Sequence, residues 1–512
     1  MKEDLFSFSN LHRCYLKCRA RKRNTINALR FEMRLEENLA RLERELKTRS
    51  YQPARSVCFV VKKPKFREIF AADFRDRIVH HVLVDYLEKI FEPKFIFDSW
   101  ACRKGKGTHK GVERLQTLAR RVTANGTRPA FYLQMDIRNY FGSIDKGILL
   151  GLIRRRTSHP QVLWLAEKII NNDCTRNYVY KGKSGLLNLL PPHKTLFNAA
   201  AGRGLPIGNL TSQFFANVYL NELDQFVKRE LKAGYYLRYV DDFILLSGSR
   251  EELALWRQKI TDFARERLAL TIHPQKQLIA PVSNGIDFLG YIVRPGYMLV
   301  RRRVVNNFRL ALRLVRETAV KGGVIEFAPE SALKAGSTIN SYLAHLAYAH
   351  SHGLKTALAA KYGFMGEFKR AARLVTPRYF ASLAVQYAFF KGVLGGIEFY
   401  WDEGGQRCFR DRPVLMFFPV GRHYAFYGPD AAVAAQVLGL KVKRRGNFSP
   451  SVRKRLGSCC ALLPKALGEK YARKAAAKGY GAYLLAETKA VRFDHKLLSR
   501  VLVKYVPGLS LA

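Results

Sequence analysis

Two acidic sites stand out in a chain that is short of acid. Asp136 closes the apolar run Phe131–Met135 in FYLQMDIRNYF, and Asp241-Asp242 lie within YYLRYVDDFILL. Carboxylates at strand ends with apolar flanks are costly unless something positive neutralises them. Oxygen-only ligation suits Mg²⁺, and two such ions about 4 Å apart activate an attacking hydroxyl and stabilise a leaving pyrophosphate. Taken alone, an Asp-Asp dipeptide is more often a turn that caps a hairpin. The surrounding residues decide between the two.

The two β-rich runs within Tyr235–Leu246 predict a hairpin with the acids at its tip. Further strands are expected at Ser56–Val61 and Ile286–Val293, with a basic turn at Lys62–Lys65. Helical periodicity covers residues 77–92, 210–231 and 251–268, and the basic stretch 301–363 is largely helical. Leu35, Leu39, Leu42 and Leu46 recur at three- and four-residue spacing, which predicts an amphipathic helix with a solvated charged face. Glycines and basic residues cluster in Arg103–Lys110, as a phosphate-facing loop would require. Glycine-rich breaks at 394–396 and 404–405 precede a separate α/β unit expected from about Pro413.

The 512 residues suggest about three domains, and 48% hydrophobic with 25% charged residues exclude disorder and fibrous repeats. Lys+Arg number 88 against 41 Asp+Glu, a net charge of +47. Such a body repels itself unless it meets a polyanion, and nucleic acid is the one expected, because each neutralised phosphate releases counterions. No run approaches 18 apolar residues and MKEDLFSFSNLHRC lacks a signal-peptide core, so no membrane partner and a cytoplasmic location are expected. The eight cysteines read as reduced thiols of an intracellular protein. Cys14 and Cys18 near His12 lack a matching second pair, so packed helical cysteines are favoured over a zinc site.

Tyr239-Val-Asp-Asp242 resembles the YxDD box of reverse transcriptases, and Asp136-Ile-Arg-Asn-Tyr-Phe141 resembles their first catalytic motif. Lys63-Pro-Lys-Phe-Arg67 resembles the fingers segment, Leu270–Lys276 the motif after the catalytic hairpin, and Phe288, Leu289, Gly290 and Tyr291 the primer grip. The five matches stand in the family's order. The resemblance implies that Asp136, Ile137, Asp241 and Asp242 form the set for two Mg²⁺ ions. It implies that Lys63 and Arg67 meet the triphosphate, that Phe141 crowds a ribose 2′-OH, and that Lys276 protonates the leaving pyrophosphate. An exposed lysine is the plain alternative for Lys276.

Ile207-Gly208-x-x-x-Ser212-Gln213 stands where most bacterial members have a QGxxxSP-like pattern, and it resembles the enzymes of diversity-generating retroelements. Gly208 would allow the backbone to approach template and incoming nucleotide closely, with Gln213 in the same nucleotide-binding stretch. Aliphatic Ile207 would replace a polar contact, and apolar packing discriminates weakly between bases. Error-prone copying, chiefly at template adenines, is what this resemblance implies; ordinary strand packing is the alternative for Ile207. Val414–Tyr427 and Lys478–Glu487 resemble the N-terminal domain of MutS proteins, but the family's wedge Phe and its Glu fall on His423 and Ala425. A basic docking domain is therefore favoured over mismatch reading.

The expected fold is α+β: a right-hand polymerase (fingers, palm, thumb) followed by a small α/β C-terminal domain. Its parts would be a helical extension (1–50), fingers and palm (51–300), a helical thumb (301–370) in which Arg301–Arg303 contact duplex backbone, a linker (371–412) and the MutS-like unit (413–512). The expected function is RNA-directed DNA synthesis on a retroelement template RNA. Partners would be template RNA, the RNA–DNA hybrid and dNTPs, with a small basic accessory protein or a second copy of the chain besides. A defence-associated reverse transcriptase is the nearest alternative, and a nonenzymatic RNA-binding scaffold the one from another class.

Overall fold

The computed structural model describes residues 4–20, 25–62, 66–183, 185–321, 324–326, 329–365, 368, 379–380, 397–401, 407–411, 414–420, 423–427, 429–444, 459–478, 480–487, 497–498 and 500–506. Its contacts divide the chain into two compact units, Met1–Met298 and Leu299–Ala512.

The first unit begins with helices α1 (Phe8–Arg19), α2 (Ile26–Glu32) and α3 (Leu35–Lys47). Leu39, Leu42 and Leu46 of α3 and Leu11, Cys14 and Cys18 of α1 enter one core with α4 (Phe74–Phe91), as the leucine spacing requires. Burial, aided by the Asp85 carboxylate, pushes the Cys14 thiol up to about 12, so it is an inert packing residue. Strands β1 (Ser56–Val61) and β2 (Arg67–Ala71) form an antiparallel pair, and α5 (Thr108–Val122) follows.

A four-stranded antiparallel sheet carries the acids. Strands β3 (Phe131–Ile137), β4 (Tyr235–Tyr239), β5 (Asp242–Ser247) and β6 (Ile272–Pro281) lie in the order β4-β5-β3-β6. Helices α6 (Tyr140–Ser143), α7 (Lys146–Arg154) and α8 (Pro160–Ile170) follow β3, and α9 (Leu210–Gln225) precedes β4. Helix α10 (Arg250–Leu268) packs Trp256, Ile260 and Ala264 onto the sheet face that holds Leu133, Met135, Phe243 and Leu245. Helix α5 meets β4 and β5 without its apolar residues joining that core. Central β5 is therefore buried along Phe243–Ser247, which explains why its sequence is continuously apolar. Each such Leu or Phe contributes about 1.5–3 kcal/mol by leaving water.

One expected strand is corrected. Ile286–Val293 is a hairpin of β7 (Ile286–Phe288) and β8 (Tyr291–Val293), because Leu289 and Gly290 adopt φ of +50° and +94° and turn the chain back.

The second unit holds α11 (Arg302–Ala319), α12 (Pro329–Leu346) and α13 (His352–Lys361). The largely helical stretch expected over 301–370 also contains a short hairpin, Val320–Lys321 with Val324–Glu326, which pairs onto Arg500–Val506 in an eight-stranded mixed sheet. Phe308, Leu312 and Ile339 share a core with Met416, Phe418 and Tyr483 of that sheet. Its other face packs against helices Pro429–Leu438 and Gly468–Ala477. The expected linker 371–412 is likewise not plain connection, since Ile397–Trp401 and Arg407–Asp411 form an antiparallel hairpin. Packing thus groups the helices after Met298 with the C-terminal strands, a long-range pairing that local periodicity does not encode.

Candidate active site

The hairpin of β4 and β5 turns at Val240-Asp241, and the ladder sets Asp242 directly opposite Asp136 on β3. Carboxylates facing each other across an antiparallel pair repel. The register therefore asks for a cation at this point. One supplied by the chain is Lys276: its ammonium donates to Asp136 Oδ2. The reason lies in β6, whose pairing with β3 jumps from Met135↔Gln277 to Ile137↔Ile272, so that residues 273–276 bulge out of the ladder. Bulges of this kind re-aim side chains beside active sites.

Asp136, Ile137, Asp241, Asp242 and Lys276 line one cleft of about 490 Å³, together with Arg67, Phe141, Ile207 and Leu289. That volume is ample for a nucleotide-sized ligand. Five of the remaining expected residues fall elsewhere. Lys63 lies outside the described residues. Gln213 is exposed in the first turn of α9 and does not line the cleft, because Thr211, Ser212 and Phe214 take the inward positions. Phe288 and Tyr291 are buried as the paired ends of β7 and β8, and Gly290 completes their turn, so of the primer-grip set only Leu289 reaches the cleft. Gly208 has φ +121°, and a Cβ there would stand 2.7 Å from Ile69 Cγ2. A close approach is thus made to β2, where Phe70 N–H donates to the Ile207 carbonyl at 2.9 Å. Ile207 itself sits in a turn, not in a strand.

Sequence reasoning missed several cleft residues. His193 and Lys194 line it on a segment that Glu68 ties down, accepting from Thr195 Oγ1 at 2.7 Å and from the Leu196 amide. Burial raises the Glu68 carboxyl above its ordinary range, opposed by these two donors. Glu68 alternating with Phe70 on the buried face of REIFA was the available signal. Arg138 and His273 add further positive or titratable groups to the same wall.

The three aspartates offer the all-oxygen ligands that a hard divalent cation takes. Their cross-strand opposition fits such an ion. Among the described residues no group of three or more His, Cys, Asp or Glu converges on a single point, and Asp136 is engaged by Lys276, so an ion here competes with that ammonium. In the C-terminal sheet, His423 is exposed at the start of its strand while Ala425 is fully buried. No helix among the described residues is long and apolar enough to cross a membrane.

Comparison with known proteins follows this geometry. Residues 60–293 match the family model of reverse transcriptase (RNA-dependent DNA polymerase), and residues 398–508 match MutS domain I, which moves the start of that unit ahead of the expected 413. Protein YkfC of Escherichia coli K12 is 26% identical over 313 residues, covering 54% of this chain and 75% of its own length. The group II intron-encoded protein LtrA of Lactococcus lactis subsp. cremoris is 25% identical over 325 residues, 51% of this chain and 50% of LtrA. The chain thus spans about half the length of that relative. An apo telomerase structure from Candida tropicalis aligns at a TM-score of 0.36 and 12% identity over 48% of this chain and 55% of the telomerase. By this match residues 60–293 are a reverse transcriptase (RNA-dependent DNA polymerase) domain.

Proposed function

We propose that this chain copies a retroelement template RNA into DNA from dNTPs with two Mg²⁺ ions, and that the copying is error-prone at template adenines and serves sequence diversification. The observation that carries the polymerase reading is the set of three carboxylates in one cleft, two of them opposed across β3 and β5. Asp136, Asp241 and Asp242, with Ile137 beside them, are the residues that would hold the ions. The bound ions would activate the primer hydroxyl and stabilise pyrophosphate. Arg67, Lys194 and His193 line the cleft and would meet the triphosphate, Arg67 as a rigid donor fork. Lys276 is the proton donor to the leaving group once released from Asp136, and Leu289 touches the primer end. Residues 301–370 act as the thumb on the hybrid, and a small basic accessory protein or a second copy completes the assembly.

Support for low fidelity is the Ile207-Gly208 turn, whose aliphatic side chain lines the cleft where a polar one would police base geometry. The MutS domain I match supports a nucleic-acid-docking role for the C-terminal unit. The test is primer extension on one defined RNA followed by deep sequencing of the product. Asp241→Asn with Asp242→Asn should abolish incorporation while RNA binding persists; near wild-type synthesis would remove the metal assignment. The wild type should misincorporate more opposite A than opposite G, C or U. Ile207→Gln should lower that error roughly fivefold, the value of one contact worth about 1 kcal/mol. Equal error at all four template bases would sink the diversification reading and leave the polymerase intact.

A further inference from the structure

We propose that Arg238 is the positioning residue of the catalytic turn: from beneath it, the guanidinium holds the peptide joining Val240 to Asp241 and so fixes where the Asp241 carboxylate stands. The purpose of the turn rests on the polymerase reading; its geometry does not.

Arg238 and Asp224 form an ion pair with both side chains fully buried, at 0% exposure each. Nε donates to Asp224 Oδ1 at 2.8 Å and Nη2 to Oδ2 at 2.6 Å. Nη1 donates to the Val240 carbonyl at 2.9 Å and to Asn217 Oδ1 at 3.3 Å, and Nη2 donates again to Ser99 Oγ at 3.2 Å. The five donors of the fork meet five acceptors. The acceptors are themselves fixed: Tyr236 donates its hydroxyl to Asp224 Oδ1 at 2.7 Å, and Asn217 Nδ2 donates to the Ala101 carbonyl at 2.9 Å. The Arg238 main chain is strapped as well, its N–H donating to the Asp98 carbonyl and its carbonyl accepting from Trp100 N–H, each at 2.9 Å.

Val240 is where this scaffold acts. Its φ is +56°, a left-handed conformation that a β-branched residue adopts only when its surroundings impose it. A buried ion pair is by itself weak evidence of stabilisation, since a well-packed apolar pair often serves as well. No apolar pair could donate to the Val240 carbonyl. Lysine offers a point charge without the fork, so it can face Asp224 but cannot span carboxylate and carbonyl together.

The experiment compares wild type, Arg238→Lys, Asp224→Asn and, as the reference for a lost ligand, Asp241→Asn. It records kcat and dNTP KM in primer extension, RNA affinity, thermal melting, and Mn²⁺ affinity by electron paramagnetic resonance, which needs no turnover. For folded Arg238→Lys, kcat and Mn²⁺ affinity should each fall about 10- to 100-fold, the usual cost of losing a group that orients a ligand, with dNTP KM and RNA affinity nearly unchanged. Adding Val240→Gly should recover part of the loss, because glycine adopts the same φ without strain. Unchanged kcat and Mn²⁺ affinity in folded Arg238→Lys would overturn the assignment. So would loss of cooperative melting in both Arg238→Lys and Asp224→Asn, which would make the pair a fold determinant only. A wild type that makes no DNA, with Mn²⁺ affinity still falling in Arg238→Lys, would reject the polymerase reading and uphold the positioning role.

Discussion

Phe141 shows how a single side chain in the cleft can set selectivity. It follows Asp136 by five residues, sits half-buried in α6 and lines the same cleft as the three aspartates. We propose that a ring at that place excludes a 2′-hydroxyl by contact, and exclusion of that kind is worth on the order of 1–3 kcal/mol. Phe141→Ala should therefore raise ribonucleotide incorporation relative to dNTP by about tenfold to a hundredfold, read as the ratio of kcat/KM values in primer extension. Unchanged discrimination would place the gate on another cleft residue. Lys276 belongs to the same scale. Its pairing with Asp136 is not legible in the sequence, where the family resemblance implies only a proton-donor role for Lys276.

At the scale of elements, α4 follows strands β1 and β2, packs with the N-terminal helices and carries a buried histidine. His80 is buried beside a cavity of about 30 Å³, room for one water, and its Nδ1 has no hydrogen-bond partner among the described residues. Burial, with His81 and Arg77 nearby, lowers its pKa from 6.5 to about 3. As pH falls below 6.5 the unfolded chain takes up this proton while the folded one does not. Stability is therefore full above that pH and is lost as pH falls toward 3, by up to about 1.4 kcal/mol per unit. Urea unfolding of wild type should show this loss between pH 7 and pH 5, and His80→Leu should remove about 2 kcal/mol of it. An identical pH dependence in the variant would show that His80 is protonated in the fold.

For the whole molecule, the excess of +47 charges should govern the proposed RNA affinity more than any single contact. Each phosphate neutralised steepens the salt dependence, so RNA binding should weaken by about 10³-fold or more between 50 and 200 mM salt. Titration of labelled RNA at both concentrations checks this. A flat response would mean that the basic surface does not track the backbone.

Local pattern was enough for the acids and the elements that bear them. Strand β3 ending near Asp136, the hairpin of β4 and β5 with Asp241 in its turn, α9 and α10 all lie where periodicity and turn chemistry put them. Such signals are legible because they span a few residues and follow backbone periods of 2 and 3.6. Partners distant along the chain are not encoded that way. Glu68 meets Thr195 and Leu196, Gly208 meets Ile69, and Arg238 meets Ser99 only after the chain closes loops of more than a hundred residues. Tertiary structure alone decided that Gly208 packs closely against β2, that Gln213 faces outward, and that helices α11 and α12 share a core with the C-terminal sheet. Those outcomes depend on which surfaces meet, and a one-dimensional pattern carries no term for that.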